Sequence, residues 1–207
     1  MSAALREPWS DLGRQEESAV LGIWLFLGTE VLFFGGLFAG YAVYRMLYTA
    51  GFLDGARQTE IVFGSANTAI LLTSSFAMAL GVRAARAGIA RFARACFYVT
   101  AALGAVFLVL KGFEYRDDIA KHLVPGPGFA IAQRGAEIFW TLYWLMTLIH
   151  AVHVLIGIGA VLRLPIAGRD RDWLTRSPAV EVTGLYWHFV DAIWVILFPL
   201  LYLGGRA

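Results

Sequence analysis

Apolar residues in this chain come in long blocks, not at the spacing of a half-buried helix or strand. Five blocks stand out: about Ala19 to Tyr44, Ile61 to Val82, Phe92 to Phe113, Ile138 to Leu162 and Val182 to Leu203. A helix needs roughly 20 apolar residues to cross the ~30 Å hydrocarbon core. Transmembrane β-strands are only about 10 residues long and alternate in polarity. The pattern therefore predicts an all-α integral membrane bundle of five transmembrane helices. Residues 1–18 carry Glu7, Asp11, Glu16 and Glu17 and no apolar run, so they read as a polar N-terminal segment and not as a signal peptide. Residues 19–207 are expected to form one five-helix membrane domain.

Composition agrees. Of 207 residues, 59% are hydrophobic and 15% charged, with a mean hydropathy of +0.66; soluble domains carry about 25% charged residues. The formal charge of +2 gives no ground for nucleic-acid binding. Cys96 is the one cysteine, which excludes an internal disulfide and an all-cysteine metal site. With five spans, ten basic residues fall on the N-terminal side and seven on the other, counting Lys111 with the far-side loop. The positive-inside rule then predicts a cytoplasmic N-terminus. Pro125-Gly126-Pro127-Gly128 predicts turns in the loop before the fourth span.

Ionisable groups at membrane depth are expensive, so each needs a reason. Glu30 lies 11 residues into the first span, roughly 16 Å deep at 1.5 Å per residue. It reads either as a proton-exchanging acid or as a hydrogen-bonded acid joining two helices. His150 and His153, at i and i+3 on the fourth span, share a side of that helix. His153 is at the depth of Glu30, so a Glu30–histidine pair forms if the first and fourth spans touch. The same two histidines supply only two ligands for a metal or haem, which favours satisfied intramembrane imidazoles. His188 and Asp191, also i and i+3, are expected to pair with each other, as a relay or as a mutually satisfied couple. Gly35, Gly36, Gly40, Gly157 and Gly159 predict close helix contacts. Arg83, Arg86 and Arg163, at span ends, are candidates for holding lipid headgroups.

Five stretches, in order and one per span, resemble a known family: GTEVLFFGGLFAGY at 28–41, SANTAILLTSSFAMALGVRAARAG at 65–88, FLVLKGFEY at 107–115, LIHAVHVLIGIG at 148–159 and EVTGLYWHFVDAIWVILFPLLYL at 181–203. Together they resemble subunit III of the haem–copper oxidases, in its short five-helix bacterial form. The YWHFVD core of the last stretch is the most specific part of the match.

The resemblance implies an accessory subunit of a cytochrome c or quinol oxidase in a bacterial inner membrane. It implies that this chain binds no haem and no copper. Those would sit in the partner, subunit I, with subunit II also in the assembly. It further implies bound phospholipid, support of proton uptake, and a carbodiimide-reactive acid at Glu30. Asn67, Glu114, Glu181 and Trp187 match family positions, as do Glu30, His150, His153, His188 and Asp191. Lys111 stands where the common pattern is neutral, and is expected either to pair with Glu114 or to snorkel to the surface. The close alternative is the accessory subunit of a nitric-oxide reductase. A stand-alone proton-coupled transporter is the reading from a different class.

Overall fold

A computed structural model describes residues 12–168 and 171–206. Of the expected 1–18 segment, residues 1–11 lie outside the described residues. The remainder already belongs to the first helix, α1, Leu12–Leu47. The other long helices are α3, Ile61–Arg86; α4, Ala90–Ala120; α5, Ala136–Ala167; and α7, Pro178–Phe198, which continues as a π-helical turn over Pro199–Leu203. These are the five predicted spans, extended at most ends. Two short helices escape the hydrophobic pattern: α2, Thr49–Arg57, and α6, Arg171–Arg176. Both are too short and too polar to register as blocks.

Local chemistry sets the boundaries. Gly88, at φ 76°, turns α3 into α4 across three residues. Gly135, at φ 92°, precedes α5. Pro178 opens α7, where the Ser177 hydroxyl accepts a hydrogen bond from Ala179 N–H at 3.3 Å. The Pro125–Gly128 stretch forms turns, with Gly126 and Gly128 at positive φ and Gly126 N–H donating to Glu137 Oε1 at 2.9 Å.

Helices α3 and α4 form a tight antiparallel hairpin, and α7 packs across α3, α5 and α1. Half of the apolar window of α7 is buried, against 11% of that of α1. Thus α7 is the centre of the bundle and α1 its outermost member, leaning on α7 and α5. Large apolar side chains face outward on all five spans, among them Leu32, Val62, Phe76, Val109, Leu155 and Val195. In water such a surface would drive association; in lipid it is the matching solvent. The chain is a multi-pass membrane protein.

Of the glycines expected at close helix contacts, Gly157 is at one, and Gly81 and Gly104 join it. A Cβ on Gly104 or Gly157 would meet the Trp187 ring at 2.7 and 3.0 Å, and one on Gly81 would meet Phe97 at 2.7 Å. Gly35, Gly36, Gly40 and Gly159, by contrast, have open space where a Cβ would stand. Small residues mark a close approach only where a second helix lies opposite, and α1 has few neighbours within the chain.

Candidate functional site

Glu30 and His153 meet. Their helices, α1 and α5, touch at this level, and His153 Nε2 lies 3.2 Å from Glu30 Oε2. His153 Nδ1 lies 2.8 Å from the Ile149 carbonyl oxygen, which only accepts, so Nδ1 carries a hydrogen. The hydrogen in the Nε2–Oε2 contact then belongs either to a neutral acid or to an imidazolium. Either way the pair shares one proton and is neutral as a whole, which suits a site at membrane depth. Phe34 packs its ring edge-on to His153 at 5.4 Å, and the Tyr186 hydroxyl donates to the His153 carbonyl at 3.0 Å. Glu30 and His153 remain 17% and 16% exposed, on the rim of the bundle.

His150 does not reach Glu30. Residues three apart on a helix are separated by about 60° around its axis. That angle turns His150 into the interior, between Phe107 at 5.6 Å and Trp194 at 5.2 Å. Both of its ring nitrogens are buried without a hydrogen-bond partner among the described residues, as are both side-chain polar atoms of Asn67.

The expected His188–Asp191 pair does not form. His188 Nδ1 lies 2.7 Å from the Ser75 hydroxyl on α3, and neither carboxyl oxygen of Asp191 has a hydrogen-bond partner among the described residues. The facing helix supplies a hydroxyl to the histidine, so the i, i+3 contact is not taken up. Trp187 is buried, with its indole N–H donating to Ser74 Oγ at 3.1 Å and its ring against Gly104 and Gly157. At the far end of α7, Glu181 pairs with Arg86 at 2.8 Å, which ties α3 to α7. Arg83 and Arg163 are exposed.

The largest concentration of buried charge lies on α4, at Lys111, Glu114 and Asp118. Helix α4 runs on to Ala120, so Lys111 is not a loop residue; it is a core residue, 1% exposed. Its ammonium group donates to Tyr202 at 2.6 Å and Tyr143 at 3.0 Å, and lies 3.1 Å from Glu114 Oε2. Of its two expected fates, pairing with Glu114 is the one observed. Asp118, one turn further on, joins through Tyr143 at 2.9 Å. The i, i+3, i+7 spacing of Lys111, Glu114 and Asp118 was readable, but the two tyrosines come from α5 and the π-helical turn, which only folding brings together. Among the described residues no group of three or more His, Cys, Asp or Glu side chains is placed to hold a metal ion.

Comparison with known proteins matches the whole of this architecture. The family described as Cytochrome c oxidase subunit III matches residues 15–206. The chain is 36% identical to the Cytochrome c oxidase subunit 3 of Thermostichus vulcanus over 196 residues, covering 90% of this chain and 88% of the relative. It is 33% identical to the Corynebacterium diphtheriae protein of the same name, covering 88% and 86%. Against the Quinol oxidase subunit 3 of Bacillus spizizenii it is 31% identical, covering 99% and 94%. The match spans all five helices and both sets of intramembrane polar groups, and this chain belongs to the cytochrome c oxidase subunit III family.

Proposed function

We propose that this chain is the accessory subunit III of a haem–copper terminal oxidase in a bacterial inner membrane, taking part in aerobic electron transfer without a redox centre of its own. Haem and copper belong, on this reading, to subunit I, against which the bundle packs, with subunit II in the same assembly. The observation that carries the proposal is the family match running through all five spans, 15–206. Relatives named for both cytochrome c and quinol oxidases support the oxidase class and favour neither electron donor. They give no support to the nitric-oxide reductase or stand-alone transporter readings. The N-terminus is cytoplasmic on this reading, in keeping with the basic-residue bias, which Lys111 no longer offsets.

Two features support the finer roles. The Glu30–His153 pair, neutral and slightly exposed at the rim, suits a group that holds a proton beside the partner and so supports proton uptake. A groove of about 200 Å³ between α1, α3, α6 and the start of α7, lined by Val20, Val82, Ala85 and Leu174 with the Arg86–Glu181 ion pair at its edge, suits a phospholipid acyl chain with its headgroup at the arginine.

The test is isolation of this chain from its native membrane in mild detergent, with mass spectrometry and a reduced-minus-oxidised spectrum. A large haem- and copper-bearing partner is expected. A chain that emerges alone and colourless, under conditions that keep other respiratory complexes intact, overturns the proposal.

A further inference from the structure

The buried lysine cluster contains more short contacts than its ordinary hydrogens fill. Beyond the Lys111–Glu114 Oε2 ion pair, which takes the third ammonium hydrogen, five oxygen–oxygen or nitrogen–oxygen contacts each need one hydrogen. Lys111 Nζ meets the Tyr143 and Tyr202 hydroxyls. The Tyr202 hydroxyl meets Glu114 Oε1 at 2.6 Å. The Tyr143 hydroxyl meets Glu114 Oε1 at 2.7 Å and also Asp118 Oδ2 at 2.9 Å. Lysine fills the first two and Tyr202 the third. Tyr143 has a single hydrogen for the last two. The fifth must come from a carboxylic acid, on Glu114 or on Asp118.

We propose that Glu114 and Asp118, joined by the Tyr143 hydroxyl, form a binding site for one exchangeable proton inside the bundle, with Lys111 as its fixed counter-charge. The charge count closes: one ammonium, one carboxylate, one neutral acid. Lys111, Glu114 and Asp118 are all at most 1% exposed, and a buried cluster with net charge is far more costly than a neutral one. Two arrangements satisfy the contacts. In one, Asp118 is the acid and donates to the Tyr143 oxygen, while Tyr143 donates to Glu114. In the other, Glu114 is the acid and donates to Tyr143, while Tyr143 donates to Asp118. They interconvert when Tyr143 accepts a proton on one side and releases its own on the other, which changes no net charge. The site is therefore also a relay one phenol long.

The groups facing the site come from every element around it. On α4 these are Lys111 and Tyr115, whose ring lies 4.9 Å from the ammonium; on α5, Tyr143 and, beyond the Lys111 end, His150; on the π-helical turn, Tyr202. Just past the end of α4, Lys121 pairs with Glu60, which precedes α3. That ion pair is about 40% exposed, and Lys121 stands about one turn beyond Asp118, so the Asp118 end of the site is the end nearer water.

Difference infrared spectra of the purified complex containing this chain, taken in H₂O and D₂O, test the site through the carbonyl stretch of a protonated carboxylic acid. Asp118→Asn and Glu114→Gln each leave one carboxylate with Lys111, so each is expected to lose the same single deuterium-sensitive acid band. Lys111→Met removes the counter-charge, and a second acid band is expected. Loss of a different band in each carboxyl variant would mean two independent acids and overturn the shared site. No band lost in either would mean both are ionised, with the same consequence. Should Glu114→Gln fail to assemble, Asp118→Asn with Lys111→Met decides: an unchanged acid band in both refutes the proposal.

Discussion

At the scale of single residues, the most informative contact is Glu30 with His153. It is a hydrogen bond between α1 and α5 at membrane depth. Such bonds inside membranes contribute about 0.6 kcal/mol on average and at most about 1.7, because the separated helices find other partners. His153→Phe should therefore cost on the order of 1 kcal/mol of unfolding free energy, measured by denaturing-detergent titration. His150→Phe should behave differently: it fills an aromatic pocket between Phe107 and Trp194 and removes two polar atoms that have no partner there. Such a swap is expected to be neutral or stabilising in the same titration. Equal losses in both variants would contradict this account of the two histidines. Sequence spacing placed both on one side of α5, but a 60° difference that spacing treats as small separates the rim of the bundle from its core.

At the scale of elements, the glycines report which helix faces are already occupied. Gly104 and Gly157 receive the Trp187 ring from opposite helices, so a β-branched side chain at either must displace an indole fixed by its bond to Ser74. Gly104→Val and Gly157→Val should each destabilise the isolated chain by about 1–3 kcal/mol through overpacking. Gly36→Val should leave the isolated chain unchanged, because nothing lies within 4 Å of the added carbon. The contrast is measurable by thermal unfolding in detergent. Should Gly36→Val weaken only co-purification of the partner, the outward face of α1 is where that partner lies. The π-helical turn is a second element-scale device. Within it the Leu200 carbonyl accepts from Tyr41 at 2.6 Å, and Tyr202 reaches inward to Lys111. Tyr41→Phe should loosen the C-terminal turn, costing about 0.5–1.5 kcal/mol, seen as faster amide exchange over Pro199–Leu203.

At the scale of the whole molecule, the segments before α3 and after α4 are tied to each other by the exposed Glu60–Lys121 ion pair, which responds to pH and salt. Glu60 holds Lys121 above the ordinary value of 10.5, chiefly through their hydrogen bond. A lysine raised by folding contributes stability that is fully present below its unfolded value and is lost as pH rises through the folded one. The midpoint of thermal unfolding should thus fall in this alkaline window, more in the wild type than in Lys121→Met. Both side chains are about two-fifths exposed, so the difference should shrink with added salt.

Sequence by itself determined the number, order and approximate extent of the spans, because lipid demands long continuous apolar blocks and five such blocks are directly countable. It also determined the family, through five motifs in order, and the depth that lets Glu30 meet an imidazole. What only the tertiary structure decided was partnership. His153 and not His150 faces α1; His188 turns to Ser75 and not to Asp191; Trp187 takes up Gly104 and Gly157 while the glycines of α1 stay open. Lys111 belongs to the core because α4 continues past it and two tyrosines from distant helices close over it. The reason is physical: hydropathy reports whether a side chain tolerates lipid, whereas a polar group at membrane depth is decided by which donor or acceptor the neighbouring helix brings within 3 Å, and that depends on helix rotations no single span encodes.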